Sequence, residues 1–404
     1  MTQTPMIERP FHRDWLWREA CSLLAFHSRS AGGPAGFRTL GFDGAPLLGA
    51  DEVFQLHDTT RMIHCFALAH QLGVPGMTAG IEQGMRFLWD AHRDAQAGGY
   101  FYGVRADGPA RTDKAAYGHA FVLLAAASAK RAGDPAADPL LADITAVIDR
   151  HFWDDGFGAV REDFDAGWTE IGAYRGQNAN MHMTEALMAA YDVTGNAGYL
   201  AKATRIADLI VNRNARACDW HVAEHFDTEW RIDRAYAGDP IFRPAGTTPG
   251  HALEWSRLLV QLWQLDGRRA GWMVEAAQGL FANAVGQGWD RSRGGFVYTL
   301  DWDHRPLQPI RLFWPAAEGI AAAAVLWQLE RDPFYADWYE RIWEFAAARL
   351  IDREHGGWFP ELDDDDRPSR TIFAGKPDLY HGFQACIVPL LPAGTCLSGD
   401  LAAI

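Results

Sequence analysis

Gly98-Gly99-Tyr100-Phe101-Tyr102, Trp153-Asp154-Asp155-Gly156-Phe157-Gly158, Gly294-Gly295-Phe296-Val297-Tyr298 and Gly356-Gly357-Trp358-Phe359-Pro360 are four versions of one glycine–aromatic segment. A weaker version stands at Cys218-Asp219-Trp220. From Gly98 the steps to Gly156, Asp219, Gly294 and Gly356 are 58, 63, 75 and 62 residues. A period of about 60 residues marks a repeat architecture, in which a single unit cannot bury its own apolar face.

Between these loops lie pairs of amphipathic, Ala- and Leu-rich segments: 113–131 with 138–151, and 181–194 with 197–212. Leu187, Ala190, Tyr191 and Thr194, with Met183 behind them, follow the i, i+3, i+4, i+7 spacing of a helix face. Gly195 and Pro249 punctuate helix boundaries. The same pattern predicts helices at 11–27, 58–71, 77–91, 250–265, 270–285, 314–329, 333–349 and 378–391. Twelve helices in six hairpins predict an all-α fold, a closed (α/α)6 barrel forming one domain over residues 1–404. The glycine–aromatic segments become short β-hairpins on one rim. An open solenoid would need polar capping repeats, and neither terminus is polar enough. The run Asp363-Asp364-Asp365-Asp366 reads as a solvated loop tip.

Composition narrows the function. The chain has 404 residues, 37 Lys+Arg against 52 Asp+Glu, and a formal charge of −15. A nucleic-acid partner requires the opposite balance, as does an anionic membrane surface. Apolar residues are 48% and charged residues 22%, an ordinary globular mixture. There is no apolar run long enough to span a membrane. Residues 1–17 lack the apolar centre of a secretion signal. The five cysteines, Cys21, Cys65, Cys218, Cys386 and Cys396, are odd in number and form no CxxC, which suggests reduced thiols in a cytoplasm. The 17 Trp residues are too many for ornament: they fill a large core or line a carbohydrate cleft. Oligomeric state, monomer or homo-oligomer, is left open.

Three histidines are placed to act together. His182 follows Gln177-Asn178-Ala179-Asn180-Met181, His251 follows Thr247-Thr248-Pro249-Gly250, and His381 follows Lys376-Pro377-Asp378-Leu379-Tyr380. Each is expected in the first turn of a helix that starts a repeat, pointing into the central cavity. His12, His70, His92 and His355 are expected at the surface or in loops. Glu254 lies three residues after His251 and Glu185 three after His182, so each shares its histidine's helix face. Glu318 follows Trp314 closely. A carboxylate beside an imidazole fixes its tautomer and raises its basicity. Arg61, in His57-Asp58-Thr59-Thr60-Arg61, heads another helix on the same rim and suits a hydroxyl or an oxyanion.

His221-Val222-Ala223-Glu224-His225 has His at i and i+4 but lacks the His-Glu-x-x-His order, and the segment reads as a loop, so no metal site is expected there. No phosphate-binding glycine loop and no nucleophile elbow is present. Paired carboxylates could run glycoside hydrolysis, but Glu254 and Glu318 each have a histidine within reach, which favours support over direct protonation. Imidazoles titrate near neutrality and can take and return a proton. The C2–H of an open-chain aldose is acidic beside its carbonyl. Removing that proton gives a cis-enediol, which returns as the ketose or the epimer. No metal, nucleotide or other cofactor is needed.

The chain resembles the N-acylglucosamine 2-epimerase superfamily, within it the mannose isomerase and sulfoquinovose isomerase branch. The resemblance runs from about Trp15 to Pro392. It rests on Asp58-Thr59-Thr60-Arg61, Tyr117-Gly118-His119-Ala120-Phe121, Asn178-Ala179-Asn180-Met181-His182-Met183, Gly250-His251-Ala252-Leu253-Glu254-Trp255, Phe313-Trp314-Pro315-x-x-Glu318 and Lys376-Pro377-Asp378-Leu379-Tyr380-His381. It implies metal-free isomerisation of a free aldose. His251 and His381 would be the acid–base pair, with His182 and Glu254 assisting. Arg61, Tyr117, Asn178, Trp314 and Glu318 would surround the sugar. Pro377 offers no side-chain donor for a sulfonate, so D-mannose going to D-fructose is expected, with D-lyxose as a side substrate. Arg243 keeps a sulfonate substrate open. A 2-epimerase and a catalytically silent sugar-binding toroid are the other readings.

Overall fold

The computed structural model describes residues 4–31, 36–47, 49, 52–397, 399 and 401; the ends of the expected 1–404 domain lie outside them. Twelve α-helices are present among the described residues: α1 Pro10–His27, α2 Leu56–Gln71, α3 Thr78–Phe87, α4 Ala116–Arg131, α5 Ala137–Val147, α6 Gln177–Thr194, α7 Ala197–Ala207, α8 Pro249–Leu265, α9 Trp272–Gln287, α10 Phe313–Glu330, α11 Pro333–Arg349 and α12 Tyr380–Ile387. The residues expected to complete α3, α5 and α7 continue as wider π-type turns, Leu88–His92, Ile148–Phe152 and Asp208–Ala215.

The even-numbered helices form an inner ring. α2 packs on α4, α4 on α6, α6 on α8, α8 on α10, α10 on α12, and α12 closes back on α2. The odd-numbered helices pack outside: α3 on α2, α5 on α4, α7 on α6, α9 on α8, α11 on α10, and α1 on α12. This is an (α/α)6 barrel. The composition of each ring explains its place. α10 is apolar on every side and carries Ala321-Ala322-Ala323-Ala324, all buried. A helix without a polar face must be enclosed, and small side chains let its neighbours approach. In α11 only the stripe Tyr335, Ala336, Tyr339, Ile342, Trp343, Phe345 and Ala346 is buried, as an outer helix requires.

A short extended segment precedes each inner helix and is tied to a neighbouring segment. Phe54–Gln55 pairs with Gly103–Arg105, Lys114–Ala115 with Asp163–Phe164, Arg175–Gly176 with His225–Phe226, and Arg311–Leu312 with Glu361–Leu362, all antiparallel. Single bridges Thr247–Leu300 and Lys376–Leu40 do the same before α8 and α12. The ties hold all six inner N-termini at one rim.

The glycine–aromatic loops are the anchors of this rim. Asp94, Asp290 and Asp352 each open an Asp-x-x-x-Gly-Gly-aromatic turn. Each side chain accepts backbone N–H bonds two and three residues on. The glycine pairs 98–99, 294–295 and 356–357 all have φ between 72° and 86°, a region costly for other residues. The same three aspartates pair with the basic residue that starts the next tie. Lys114 Nζ lies 2.9 Å from Asp94, Lys376 Nζ 2.6 Å from Asp352, and Arg311 bonds Asp290. Both lysines are fully buried.

Two expectations fail here. His12 and His92 are buried, not at the surface. His12 Nε2 lies 2.8 Å from Tyr339 Oη under Trp15 and Trp343, and His92 Nδ1 lies 3.0 Å from the Phe101 carbonyl. An imidazole with both an apolar body and a satisfied nitrogen belongs in a core as readily as a tyrosine does. His70 and His355 are exposed as expected. Cys21, Cys65, Cys218 and Cys386 are free thiols, and no described helix is long and apolar enough to cross a membrane.

Lys376→Met should cost roughly 3–5 kcal/mol, because it strands Asp352 without its cation. Urea denaturation measures this. An unchanged midpoint would show that the turn's backbone N–H groups suffice for Asp352.

Candidate active site

A cavity of about 810 Å³ opens at the rim where the inner N-termini gather. Its wall takes residues from the first turns of each inner helix or from the tie before it. His57, Asp58 and Arg61 come from α2, Tyr117 from α4, Asn178 and His182 from α6, His251 and Glu254 from α8, Trp314 from α10, and Asp378 and His381 from the start of α12. The three histidines, 69 and 130 residues apart in the chain, therefore line one cavity. His251 and His381 lie in first turns; His182 lies in the second turn, because α6 starts early at Gln177. Its start is fixed by Asn180, whose side chain bonds both the N–H and the carbonyl of Val160.

Each imidazole has a different carboxylate environment. His251 Nδ1 sits 2.9 Å from both oxygens of Glu224, which also accepts from Gln177 Nε2. His381 Nδ1 sits 2.9 Å from Glu318 Oε1. In both, the ring's other nitrogen is left for the cavity. His182 Nδ1 lies 3.6 Å from Glu254 and 3.7 Å from Glu185, beyond hydrogen-bond reach. Burial takes its pKa down to about 4, so this imidazole is neutral over the physiological range.

Trp314 stands against two of the histidines. Its ring centroid is 5.1 Å from His251 and 5.7 Å from His381, tilted 35° to each. Gly250 makes room for it: a Cβ there would come within 2.5 Å of Trp314 Cη2. On the far wall Tyr117 and Phe121 flank His182. Arg61 donates to Tyr117 Oη at 2.9 Å and pairs with Asp378 at 3.3 Å, its guanidinium lying over the Phe121 and Tyr380 rings. Asp378 also accepts from the backbone N–H of His381 and lies 3.7 Å from its Nε2. Asp58, half-buried near Asp378, is pushed up to about 7 by partial burial and that second carboxylate, against Arg61.

Of the residues singled out in the sequence, His182, His251, His381, Glu254, Arg61, Tyr117, Asn178 and Trp314 line the cavity. Glu318 does not. It is fully buried behind His381, so its place is against the imidazole and not in the wall. Glu254 shares a helix with His251 yet reaches across to His182. The carboxylate on His251 is Glu224, from the segment His221–His225 considered above for metal. Its histidines are occupied otherwise: His221 by the Cys218 carbonyl and Gln287, His225 by Tyr174 and the Pro244 carbonyl. Glu224 had no signal of its own in the chain, since it meets His251 only through the fold, whereas Asp378 lies three residues before His381 and was visible in its motif without being singled out. The described residues that could reach one cation together are His182, Glu185 and Glu254. Arg257 already lies 3.5 Å from Glu185 and 3.7 Å from Glu254, so a guanidinium meets that charge.

Residues 36–385 match the family model of N-acylglucosamine 2-epimerase, and the chain belongs to that family. It is 43% identical to a D-mannose isomerase of Pseudomonas cannabina pv. alisalensis, over 100% of this chain and 98% of the relative. A D-mannose isomerase of Thermobifida fusca is 42% identical, over 98% of each. A crystal structure of D-mannose isomerase superposes with a TM-score of 0.87 at 30% identity, covering 93% of this chain and 97% of that one.

Gly250→Ala should destabilise the fold by roughly 1–3 kcal/mol, because Trp314 and Pro315 leave no room for the methyl group. Urea denaturation followed by tryptophan fluorescence reads the loss. A wild-type midpoint would mean that the Trp314 ring is free to swing aside.

Proposed function

We propose that this chain is an aldose–ketose isomerase that interconverts D-mannose and D-fructose, with D-lyxose and D-xylulose as a side pair. It acts as one catalytic domain in the cytoplasm, without a metal or other cofactor and without a nucleic-acid or membrane partner. The observation that carries the reading is the pair His251 and His381. Each is oriented by a buried carboxylate on Nδ1, and both flank Trp314 in one cavity.

One of these imidazoles takes the C2 proton of the open-chain aldose as O1 gains a proton, giving the cis-enediol. O2 then gives up its proton and C1 receives one, which leaves the ketose. Two imidazoles lining one cavity can serve both exchanges. His182, neutral and lining the same cavity, assists at the ring oxygen or a hydroxyl, with Glu254 beside it. Arg61, Tyr117 and Asn178 hold hydroxyls, and Trp314 offers its face to the sugar ring. Glu318 acts through His381.

The cavity's charges favour a neutral sugar over an anionic one. Its three arginines are each met by an acid. Arg61 pairs with Asp378 at 3.3 Å, Arg111 with Asp113 at 2.8 Å, and Arg243 with Asp163. Arg243, the residue that kept a sulfonate substrate open, is thus occupied, and its ring neighbour Tyr174 holds it further. A sulfonate or phosphate would have to break one of these pairs.

His251→Ala and His381→Ala should each lower kcat on D-mannose by ~10²-fold or more, the scale of general acid–base catalysis. Product NMR on a panel of free aldoses, with sulfoquinovose and cellobiose included, should show fructose from mannose. Wild-type turnover in either variant removes that histidine from its role, and glucose in place of fructose makes the enzyme an epimerase. Activity should survive dialysis against EDTA; a loss restored by Mn²⁺ or Co²⁺ would replace proton transfer with a metal-assisted hydride shift.

A further inference from the structure

Arg257 lies on α8 one turn beyond Glu254, fully buried and outside the cavity wall. Its guanidinium meets carboxylates from three inner helices: Nε is 3.1 Å from Glu318 of α10, Nη1 3.5 Å from Glu185 of α6, and Nη2 3.7 Å from Glu254. Glu318 carries the Nδ1 of His381, and Glu185 accepts from the hydroxyl of Tyr380, the residue before it.

Three buried carboxylates share one cation, and burial works against ionising all three. The two that Arg257 hydrogen-bonds, Glu318 and Glu185, hold the charge. Burial pushes both pKa values up, and Arg257 with the neighbouring histidines outweighs it, leaving both below the ordinary carboxylate range. Glu254 has the longest contact and a buried Oε1 without a hydrogen-bond partner; burial and then Glu318 hold its pKa well above the ordinary value. Apolar residues of similar volume would fill this core at equal or better stability, so a buried arginine here calls for another account.

We propose that Arg257 is a positioning residue of the isomerisation. Its guanidinium fixes Glu318 as a carboxylate that accepts the Nδ1–H of His381, so Nε2 reaches the cavity bare and ready to take a proton. Without the guanidinium, Glu318 takes a proton and donates it to Nδ1. The imidazole then presents Nε2–H and is no longer a base. Asp378, 3.7 Å from Nε2, does not reverse this preference, because its charge is met by Arg61 and by the backbone N–H of His381. The fork of arginine matters, since Nε and Nη1 bond carboxylates on different helices at once. The proposal rests on the isomerase reading only for its kinetic consequence.

The test is nitrogen NMR of the full-length protein, ¹⁵N-labelled on histidine, with the His381 signal assigned by its loss in His381→Gln. Without substrate at mildly basic pH, wild-type His381 should be the Nδ1–H tautomer. Arg257→Lys should keep that tautomer and lose about tenfold in kcat on D-mannose with KM little changed; Arg257→Met should show Nε2–H and lose ~10²-fold or more. A protein merely loosened by the substitution would lose Tm without changing tautomer. Nε2–H in the wild type overturns the proposal, whether or not Arg257→Met folds. So does a folded Arg257→Met with Nδ1–H and full kcat. If the wild type does not convert mannose, the functional reading fails while the tautomer still decides the role of Arg257.

Discussion

The short tie before each inner helix is the constraint on which the site depends. Ten or so side chains from six helices must meet within one cavity, and a helix slipped by one turn would move its residue about 5.4 Å. Pairing the segment that leads into each inner helix with a neighbouring segment removes that freedom. The pairs Lys114–Asp94, Arg311–Asp290 and Lys376–Asp352, each with its cation buried, then lock three ties to glycine–aromatic turns. The cost of burying those charges is returned as register, the use of a buried ion pair that is best attested.

Placing every inner N-terminus at the same rim has an electrostatic result. Helix N-termini carry partial positive charge, so a cavity ringed by six of them favours acids and developing anions. That accounts for so many carboxylates in and just beneath the wall of a protein that already carries −15. It also accounts for the contrast among the three imidazoles. His251 and His381 are fixed by carboxylates at 2.9 Å, whereas His182 has only distant ones and stays neutral in its apolar niche. The same residue type thus meets three different local fields.

How much of this was legible follows from the range of the interactions. The helices and their pairing were legible because amphipathic spacing is local: all twelve expected segments are helical over most of their length. The cavity-lining histidines were legible because a repeat places equivalent positions at equivalent points. Carboxylate partners were not. Glu254 was assigned to His251 by i, i+3 proximity, but His251 turns out of its helix to meet Glu224 from the preceding rim segment. Glu254 meets His182 of the neighbouring inner helix α6 instead. Glu224 was read within a possible metal pair because its histidine neighbours drew attention from it. His12 and His92 were misplaced because nothing in a sequence shows that a distant Tyr339 hydroxyl or a Phe101 carbonyl will satisfy a buried imidazole. The Asp-x-x-x-Gly-Gly pattern at 94, 290 and 352 was in the sequence and would have named the turn aspartates.

In the proposed reaction negative charge develops at O1 as the C2 proton leaves the aldose, and at O2 in the reverse direction, and the wall meets it without an unpaired arginine. Arg61 is held by Asp378 and Tyr117, and Arg111 and Arg243 by their own acids. An unpaired arginine would bind an anionic ligand in the ground state and gain little more in the transition state. Donors fixed beforehand, such as helix N-termini and the Arg61–Tyr117 pair, instead strengthen as charge appears, with no reorganisation to undergo. A neutral sugar processed through a transient enediol needs such a wall. The pairing of every cavity arginine is therefore coupled to the chemistry: it withholds fixed positive charge from the resting sugar and leaves the two carboxylate-oriented histidines to carry the proton.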